Sequence, residues 1–276
     1  MGCPLYFMTE KALNNSTAEE TLPATPGITL QEEAVLKTMM EAGIFYGLSR
    51  SKTNPKVKPY LSTTKSGVEI INLLETLKSL NEAAAVLKEK VSHGTLPLIV
   101  GTTPAVKAIV KEMAHRLNLP YTTERWLGGT LTNFKTILAR VNYMKKLEGD
   151  KLTGKLEKYT KKERLNIERE MAKLNRLFSG LELMEKLPGV VVIFDLKNHE
   201  VVAAETKRMK IPTIAVSNTN GDPDIVDHPI ISNDKNPESI RFIAEYLSKA
   251  IEDGREEALK IAKANEAKNE IKTETK

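Results

Sequence analysis

The sequence has little of what most catalytic and metal sites require. It holds 1 cysteine, Cys3, and 4 histidines among 276 residues. A single thiol excludes an intramolecular disulfide framework and a four-cysteine zinc site, and no two histidines stand three or four residues apart, as a metal pair on a helix requires. No Gly-x-Ser-x-Gly motif is present, and no nucleophile can be paired with a base. We therefore predict no metal, no cofactor and no catalytic residue.

Aromatic residues and long hydrophobic runs are also scarce. Aromatics make up 5% of the chain, so the core is expected to be aliphatic. No run of 18 apolar residues exists, which predicts no membrane span. The first residues lack the basic start and the long apolar stretch of a secretory signal. Together with the lone thiol, these features predict a soluble protein of the reducing cytoplasm.

Charge is distributed unevenly along the chain. The net charge is +5 and the pI is about 9.0, but residues 41–187 alone carry +11 and both flanking segments are net acidic. A basic middle fits a nucleic-acid partner, although a Lys-rich solvated surface explains the same composition. Residues 1–28 are expected to be disordered, and residues 252–276 are expected to form a charged tail.

Strand and helix patterns alternate through most of the chain. Continuous apolar runs at Leu96–Val100, Val190–Phe194 and Ile211–Val216 predict strands buried on both faces of a parallel sheet. Shorter strands are predicted at Val68–Ile71 and Ile230-Ile231, and helices at Leu30–Ala42, opened by a Thr29/Glu32 capping box, Leu73–Val91, Pro104–Leu117, Glu238–Ile251 and from an Asn198 cap to Met209. We predict a flavodoxin-like, three-layer α/β/α domain with about five parallel strands over residues 29–135 and 188–251.

Residues 136–187 interrupt this alternation and carry a net charge of +5. Two apolar stripes at helical spacing flank a loop, and Thr160 with Glu163 forms a capping box. The stripes are Phe134, Ile137, Val141 and Met144, then Ile167, Met171, Leu174, Phe178 and Leu181. They predict an inserted antiparallel helical hairpin with a coiled-coil seam that projects from the domain. An ordinary packed helix pair is the alternative.

Three motifs suggest ligand sites, and each has a simpler explanation. Gly149–Leu156 matches seven of eight P-loop positions, but Leu156 replaces the magnesium-binding Ser or Thr and a helix pattern precedes the motif. The Gly101–Pro104 turn joins a strand to a helix start, where free amides attract anions, yet a plain turn explains it equally. Polar residues from Asn218 to Asp227 resemble a metal site, but they lack the calcium-loop pattern and fit turn chemistry.

One stretch, Arg125–Lys135, is unusual in composition. It contains the only tryptophan, Trp126, beside the pair Gly128-Gly129. Its small hydrogen-bonding side chains are Thr130, Thr132 and Asn133. The threonine hydroxyls, the flexible backbone of the two glycines and the basic residues at both ends of this stretch suit contact with phosphate and sugar. The other interpretation is a buried tryptophan beside a tight turn, with Thr132 as a helix cap.

This stretch resembles the signature of the small-subunit ribosomal proteins numbered two, in their bacterial type. Gly43 and Gly47 followed by Asn54–Tyr60 resemble that family's N-terminal signature. Further segments in family order are Ile70–Leu73, Pro188–Asp195, Ala203–Glu205, Ile211-Pro212, Thr219-Asn220, Asp222–Asp224 and Asn233-Asp234. The resemblance covers about residues 36–251, and the helical insertion is similar to the bacterial and organellar form.

The resemblance implies a structural component of the small ribosomal subunit, located between head and body in contact with ribosomal RNA and neighbouring ribosomal proteins. It implies no enzymatic activity, no small-molecule substrate and no membrane partner. From both signature regions we predict one RNA-binding set: Arg50, Lys52, Asn54, Lys56, Lys58, Arg125, Trp126, Gly128, Gly129, Thr130, Thr132, Asn133 and Lys135. The basic side chains would meet phosphates, and Gly128-Gly129 would permit close approach.

The chain departs from the family pattern at several positions. Phe45–Leu48 stands where His-Phe-Gly-His is usual, which removes two histidines as metal or RNA contacts. Arg50–Thr53 lacks the usual Arg-Arg-Trp, Asn218 replaces an aspartate, and Lys235-Asn236 resembles an expansion. These differences change individual contacts and indicate a divergent bacterial lineage.

Two other functions stay open. A nucleotide-dependent enzyme on a doubly wound sheet would use the Gly101 turn and the loop Ser217–Asp224. An RNA-binding factor that visits ribosomes without residing in them would share the basic middle. Thermal stabilisation by a nucleotide would favour the first, and loss from small subunits at high salt would favour the second.

Overall fold

The computed structural model describes the backbone of residues 30–274 and the side chains of residues 32–156 and 158–261. In chain order the helices and strands are α1 (Leu30–Glu41), β1 (Tyr46–Ser49), β2 (Leu61–Lys65), β3 (Val68–Ile71), α2 (Leu73–Ser92), β4 (Pro97–Val100), α3 (Pro104–Leu117), β5 (Tyr121–Thr122), α4 (Phe134–Leu152), α5 (Lys161–Phe178), β6 (Val190–Phe194), α6 (Glu200–Met209), β7 (Thr213–Ser217), β8 (His228–Ile231) and α7 (Pro237–Glu274). The predictions for residues 1–28, and Thr29 of the first capping box, lie outside the described residues.

A five-stranded parallel sheet lies at the centre, with the strand order β5-β4-β6-β7-β8. Numbered within this sheet the order is 2-1-3-4-5, which is that of flavodoxin-like folds. Every residue of β6 and β7 is buried, because helices cover both faces and the apolar runs need no polar side. The predicted fold class, an α/β domain of three layers, is confirmed.

The two helical layers divide the core into two clusters. On one face α2, α3 and α7 pack over the sheet, and Leu87 and Leu247 share a cluster with Val192. On the other face α6, α4 and α5 pack over it, and Val202 shares a cluster with Val191. Successive residues of β6 therefore point to opposite layers, as the pleat requires.

The predicted helix pair of residues 136–187 is present as α4 and α5. Asn175 Nδ2 donates to Glu148 Oε1 at 2.7 Å, and Lys145 Nζ donates to the Glu182 carbonyl at 3.0 Å, so the two segments run antiparallel. The predicted capping box is formed by Thr160. Buried stripe residues are Ile137, Val141, Met144, Met171, Leu174, Phe178 and Leu181. They join the cluster under the sheet, and a projecting coiled-coil seam stays a prediction.

A second, small sheet contains the predicted strand β3 and two strands that the sequence patterns did not indicate. Its order is β1-β3-β2, with antiparallel pairing. Ser66 and Gly67 have φ angles of 52° and 78°, which is the turn geometry that joins two strands in a tight hairpin. β2 is mostly exposed, so it lacks the apolar alternation by which strands are recognised in a sequence.

Two predicted helix ends were wrong. Asn198 does not cap α6, because its side chain donates to Asp195 Oδ2 at 2.6 Å and a 3-10 turn precedes the helix. α7 does not end at Ile251 but continues to Glu274. Gly254 lies within it, where a Cβ atom would come within 2.7 Å of the Lys88 carbonyl on α2. That glycine allows a close helix approach rather than ending the helix.

Candidate nucleic-acid interface

The stretch Arg125–Lys135 contains most of the loop between β5 and α4 and the first two residues of α4, and the loop wraps around one carboxylate of α6. Glu205 Oε1 accepts from Trp126 Nε1 at 3.0 Å and from the Gly129 amide at 2.8 Å. Glu205 Oε2 accepts from the Leu131 amide at 3.1 Å and from the Thr132 amide and hydroxyl, both at 3.3 Å. Five donors of the loop therefore converge on one internal anion.

Glu205 is buried, with 7% of its surface exposed. Burial alone would raise its pKa, but the hydrogen bonds from the indole and the three amides outweigh burial and hold the pKa below its ordinary value. The group is therefore an ionised carboxylate at neutral pH, stabilised as anions are in backbone nests. Gly129 has a φ of +91°, a backbone conformation that glycine adopts readily because it has no Cβ atom.

The side chains of this loop divide into an inner and an outer set. Trp126 is half-buried and Thr130 is buried, and the Thr130 hydroxyl donates to the Leu127 carbonyl at 2.6 Å. The exposed residues are Arg125, Gly128, Thr132, Asn133 and Lys135. Within the described part of the chain, Arg125 and Lys135 form no ion pair. The indole packs against the core, in line with the interpretation of a buried tryptophan. The predicted helix cap at Thr132 is wrong, because Asn133 occupies the cap position of α4 and the Thr132 hydroxyl donates to Glu205. Contact of this stretch with phosphate and sugar stays a prediction.

The second basic region, residues 47–60, is docked on the loop after β7. The Asn54 amide donates to the Thr219 carbonyl at 2.8 Å, and the Leu48 amide donates to Thr219 Oγ1 at 3.1 Å. A Cβ atom on Gly47 would lie 2.7 Å from Thr219 Cγ2, so only glycine permits this approach. The Asn54 side chain accepts from the Lys56 amide at 3.1 Å and caps a 3-10 helix, Pro55–Tyr60.

The cations of the second region differ in their electrostatic surroundings. Lys56 Nζ lies 2.8 Å from Asp222 Oδ2 and 2.9 Å from Asp224 Oδ2. Hydrogen bonds donated to these carboxylates raise the pKa of Lys56, and the Lys56 ammonium lowers the pKa of Asp222. Exposed cations without an ion pair among the described residues are Arg50, Lys52 and Lys58. The sequence predicted one uniform set, and the geometry separates Lys56 from the rest.

Both basic regions lie at the carboxyl edge of the parallel sheet. The loop of Trp126 follows β5, and Thr219, which holds the second region, follows β7. These strands are three positions apart in the sheet order, or about 14 Å at the usual strand spacing. The loop that carries one basic region and the loop that holds the other thus leave the same edge of the sheet.

Between the two regions, the crevice where such sheets often hold ligands is filled by the chain's own groups. Thr103 Oγ1 donates to Asp195 Oδ2 at 2.6 Å, and Lys235 Nζ lies 3.5 Å from the same oxygen. A Cβ atom on Gly101 would come within 2.4 Å of Val106, so this glycine serves packing. The Gly101–Pro104 turn therefore makes contacts within the protein, as expected of a plain turn between a strand and a helix.

The polar loop after β7 is also accounted for by internal contacts. Asn218 Nδ2 donates to Asp234 Oδ1 at 2.9 Å, and Asp227 Oδ2 accepts from the Thr213 amide at 2.9 Å. Across the described residues, no group of three or more His, Cys, Asp or Glu side chains is placed to hold a metal ion. Gly149–Leu152 is the last turn of α4, so no strand leads into the P-loop match.

Comparison with known proteins gives a consistent match over most of the chain. A sequence model of the family described as Ribosomal protein S2 matches residues 39–254. The small ribosomal subunit protein uS2 of Dictyoglomus thermophilum is 39% identical over 222 residues, which are 80% of this chain and 90% of the relative. That of Corynebacterium efficiens is 36% identical over 242 residues, which are 87% of this chain and 88% of the relative. The chain belongs to the ribosomal protein S2 family.

Membership of the S2 family confirms the resemblance drawn from the two signature regions, since both lie inside residues 39–254. In this S2-family chain the sequence patterns missed the roles of Glu205 and Asp222. A signal for Glu205 was available, because an acid occupies the buried face of α6 beside Val202 and Thr206 and a buried acid needs partners. In the described residues, no helix is both long and apolar enough to cross a membrane.

Proposed function

We propose that this chain is a structural component of the small ribosomal subunit, in the cytoplasm, where it binds ribosomal RNA and neighbouring ribosomal proteins and catalyses no reaction. The observation that carries the proposal is the match to proteins named small ribosomal subunit protein uS2 across 80% and 87% of this chain. The exposed cations at the carboxyl edge of the sheet supply the electrostatic attraction, since phosphate contacts dominate affinity for nucleic acids.

The contacts with RNA phosphates are assigned to cations of the two regions that have no ion-pair partner among the described residues. These are Arg50, Lys52, Lys58, Arg125 and Lys135, and exposed Gly128 and Asn133 lie beside the last two. The remaining predicted residues, Asn54, Lys56, Trp126, Gly129, Thr130 and Thr132, make contacts within the chain that hold the two regions in place. Their contribution to RNA binding is thus indirect.

The helix pair α4–α5 extends the basic surface. Residues 136–187 carry a net charge of +5, and their basic side chains are exposed while the apolar stripes are buried. Exposed examples are Lys146, Lys162, Arg169 and Lys173. A cationic helix pair of this kind suits contact with RNA backbone beyond the reach of the sheet edge.

The alternative of a nucleotide-dependent enzyme finds less support. A dinucleotide or mononucleotide needs an open crevice at the carboxyl ends of the central strands. In this chain Asp195, Thr103 and Lys235 fill that crevice, and residues 47–54 cover the adjoining loop at Thr219. The internal contacts use the donors that a phosphate ligand would need.

Sedimentation of small subunits tests the proposal. The full-length chain carrying a tag is expressed in its source cells, and subunits are sedimented through sucrose at high salt. A resident component remains at close to one copy per small subunit, whereas a visiting factor is released. Recovery of the chain only in fractions lighter than the small subunit would reject residence.

A further inference from the structure

The loop from Arg125 to the start of α4 is attached to the domain in two ways. Leu131 is buried in the core, and Trp126 and Leu127 pack on the same cluster. The long-range hydrogen bonds of the loop all go to Glu205. Its other hydrogen bonds to described residues are local, such as Thr130 amide to Leu127 carbonyl at 3.1 Å and Asn133 amide to Gly129 carbonyl at 2.8 Å. The five contacts to Glu205 instead join this loop to α6, which is more than 70 residues away in sequence. Among the described residues, the long-range polar attachment of the loop thus depends on one side chain.

The two cations bracket the segment that the carboxylate holds. Arg125 directly precedes Trp126, the first donor, and Lys135 follows Thr132, the last donor, by three residues. Neither cation contacts Glu205, and both face solvent. Asn133 stands at the start of α4 without making a side-chain capping bond, and Lys135 lies in the first turn of that helix.

We propose that Glu205 is a positioning residue for RNA binding, which fixes the separation and direction of Arg125 and Lys135 without touching RNA itself. The inference rests on the proposed function, because it needs these cations to meet RNA phosphates. The physical basis is preorganisation: a loop already held in its bound shape loses less conformational freedom when RNA binds. The internal carboxylate occupies the amides, so the loop binds RNA through its side chains and not through its backbone nest.

The substitution Glu205→Gln isolates this role. Oε1 accepts two hydrogen bonds and Oε2 accepts three. A glutamine keeps one accepting oxygen, and its amide group meets at least two N–H or O–H donors whichever way it is turned. The loop is then released from α6 while the shape of the side chain is kept. Glu200→Gln, on the exposed side of the same helix, is the matched control.

The experiment is a double-mutant cycle on incorporation into small subunits. Each full-length variant is co-expressed with the wild-type chain, and the ratio of the two in purified subunits is measured by mass spectrometry. Glu205→Gln and the double variant Arg125→Ala/Lys135→Ala are measured separately and combined. We expect Arg125→Ala/Lys135→Ala to reduce incorporation about fortyfold, as the loss of two phosphate contacts at about sixfold each would. We expect Glu205→Gln to reduce it about tenfold, because it displaces the two cations without removing them. We expect the combination to be no worse than Arg125→Ala/Lys135→Ala alone, because the cations that Glu205 positions are already absent.

Two other results of the cycle would overturn either the inference about Glu205 or the proposed phosphate contacts. If Glu205→Gln reduces incorporation by the same factor with and without the two cations, Glu205 acts on the fold alone and the inference fails while the proposed function stands. If Arg125→Ala/Lys135→Ala incorporates normally, the proposed phosphate contacts fail and the inference fails with them. Should Glu205→Gln not fold, Trp126→Phe replaces it, since this variant removes one donor and keeps the aromatic ring. The same non-additivity is then expected with a smaller loss.

Discussion

Lys56 and Lys58 are two residues apart in one 3-10 helix, yet only Lys58 is expected to neutralise an RNA phosphate. Lys56 Nζ lies 3.0 and 2.8 Å from the two carboxylate oxygens of Asp222 and 2.9 Å from Asp224. The two aspartates already balance the charge of Lys56. This lysine is therefore not expected to displace a counterion from an RNA phosphate. Lys58 is exposed and has no ion pair among the described residues.

The size of the effect follows from counterion release. One phosphate contact contributes about 0.7 to 0.9 to the slope of log affinity against log salt. At a slope of about 0.8, the loss of one contact weakens binding about sixfold at 0.1 M salt. Lys58→Met is expected to show both changes. The net-neutral double variant Lys56→Met/Asp222→Asn is expected to leave the slope unchanged, because it removes the pair together.

Binding of the full-length chain to small-subunit particles that lack it, measured at several salt concentrations, gives both slopes. Retention of the fold is checked by thermal unfolding of each variant. The reasoning would be refuted by an equal loss of slope in the two variants, since Lys56 would then leave its aspartates to bind phosphate. An unchanged slope for Lys58→Met would refute the contact assigned to Lys58.

Three further predictions concern stability. Glu205→Gln is expected to lower the free energy of unfolding by about 2–4 kcal/mol at pH 7, because at least two donors lose their acceptor. Denaturant unfolding followed by the fluorescence of the only tryptophan, Trp126, measures this change. A change as small as that of Glu200→Gln would contradict the prediction. The wild-type contribution of Glu205 should fade as the pH falls through its lowered pKa. Burial and nearby Asp195 raise the pKa of Asp234. The free energy of unfolding of Asp234→Asn should therefore match that of the wild type at about pH 4 and exceed it increasingly as the pH rises. A difference independent of pH would show that the ionisation of Asp234 is not its cause. Thr160→Ala removes the capping box of α5 and should cost about 1 kcal/mol in thermal unfolding, and an unchanged melting temperature would argue against it.

The central strands of the parallel sheet could be predicted from the sequence because they are buried on both faces, whereas the two-residue edge strand β5 was missed. Val190–Phe194 reads as a continuous apolar run and forms β6 over the same residues. The stripes of α4 and α5 and the Thr160 capping box were recognisable for a similar reason, since their spacing is set by local helix geometry. Where burial or capping is decided within one element, the sequence pattern is sufficient.

The features that the patterns missed depend on contacts between distant segments. β2 has no apolar alternation and exists because it pairs with β3. Asn198 has the chemistry of a helix cap, but Asp195 offers a stronger acceptor at the end of β6. Lys56 and Lys58 look alike in the sequence, and only the approach of Asp222 distinguishes them. Pairing across 166 residues cannot be read from local spacing.

The central claim is that the exposed cations at the carboxyl edge of the sheet hold ribosomal RNA while Glu205 keeps their loop in place. The most direct test is a density map of the purified small subunit that contains this chain. We expect phosphate oxygens within hydrogen-bonding distance of Arg125, Lys135 and Lys58, with Trp126 still donating to Glu205. Those three cations facing solvent or protein, with the indole turned out to stack on a base, would contradict it.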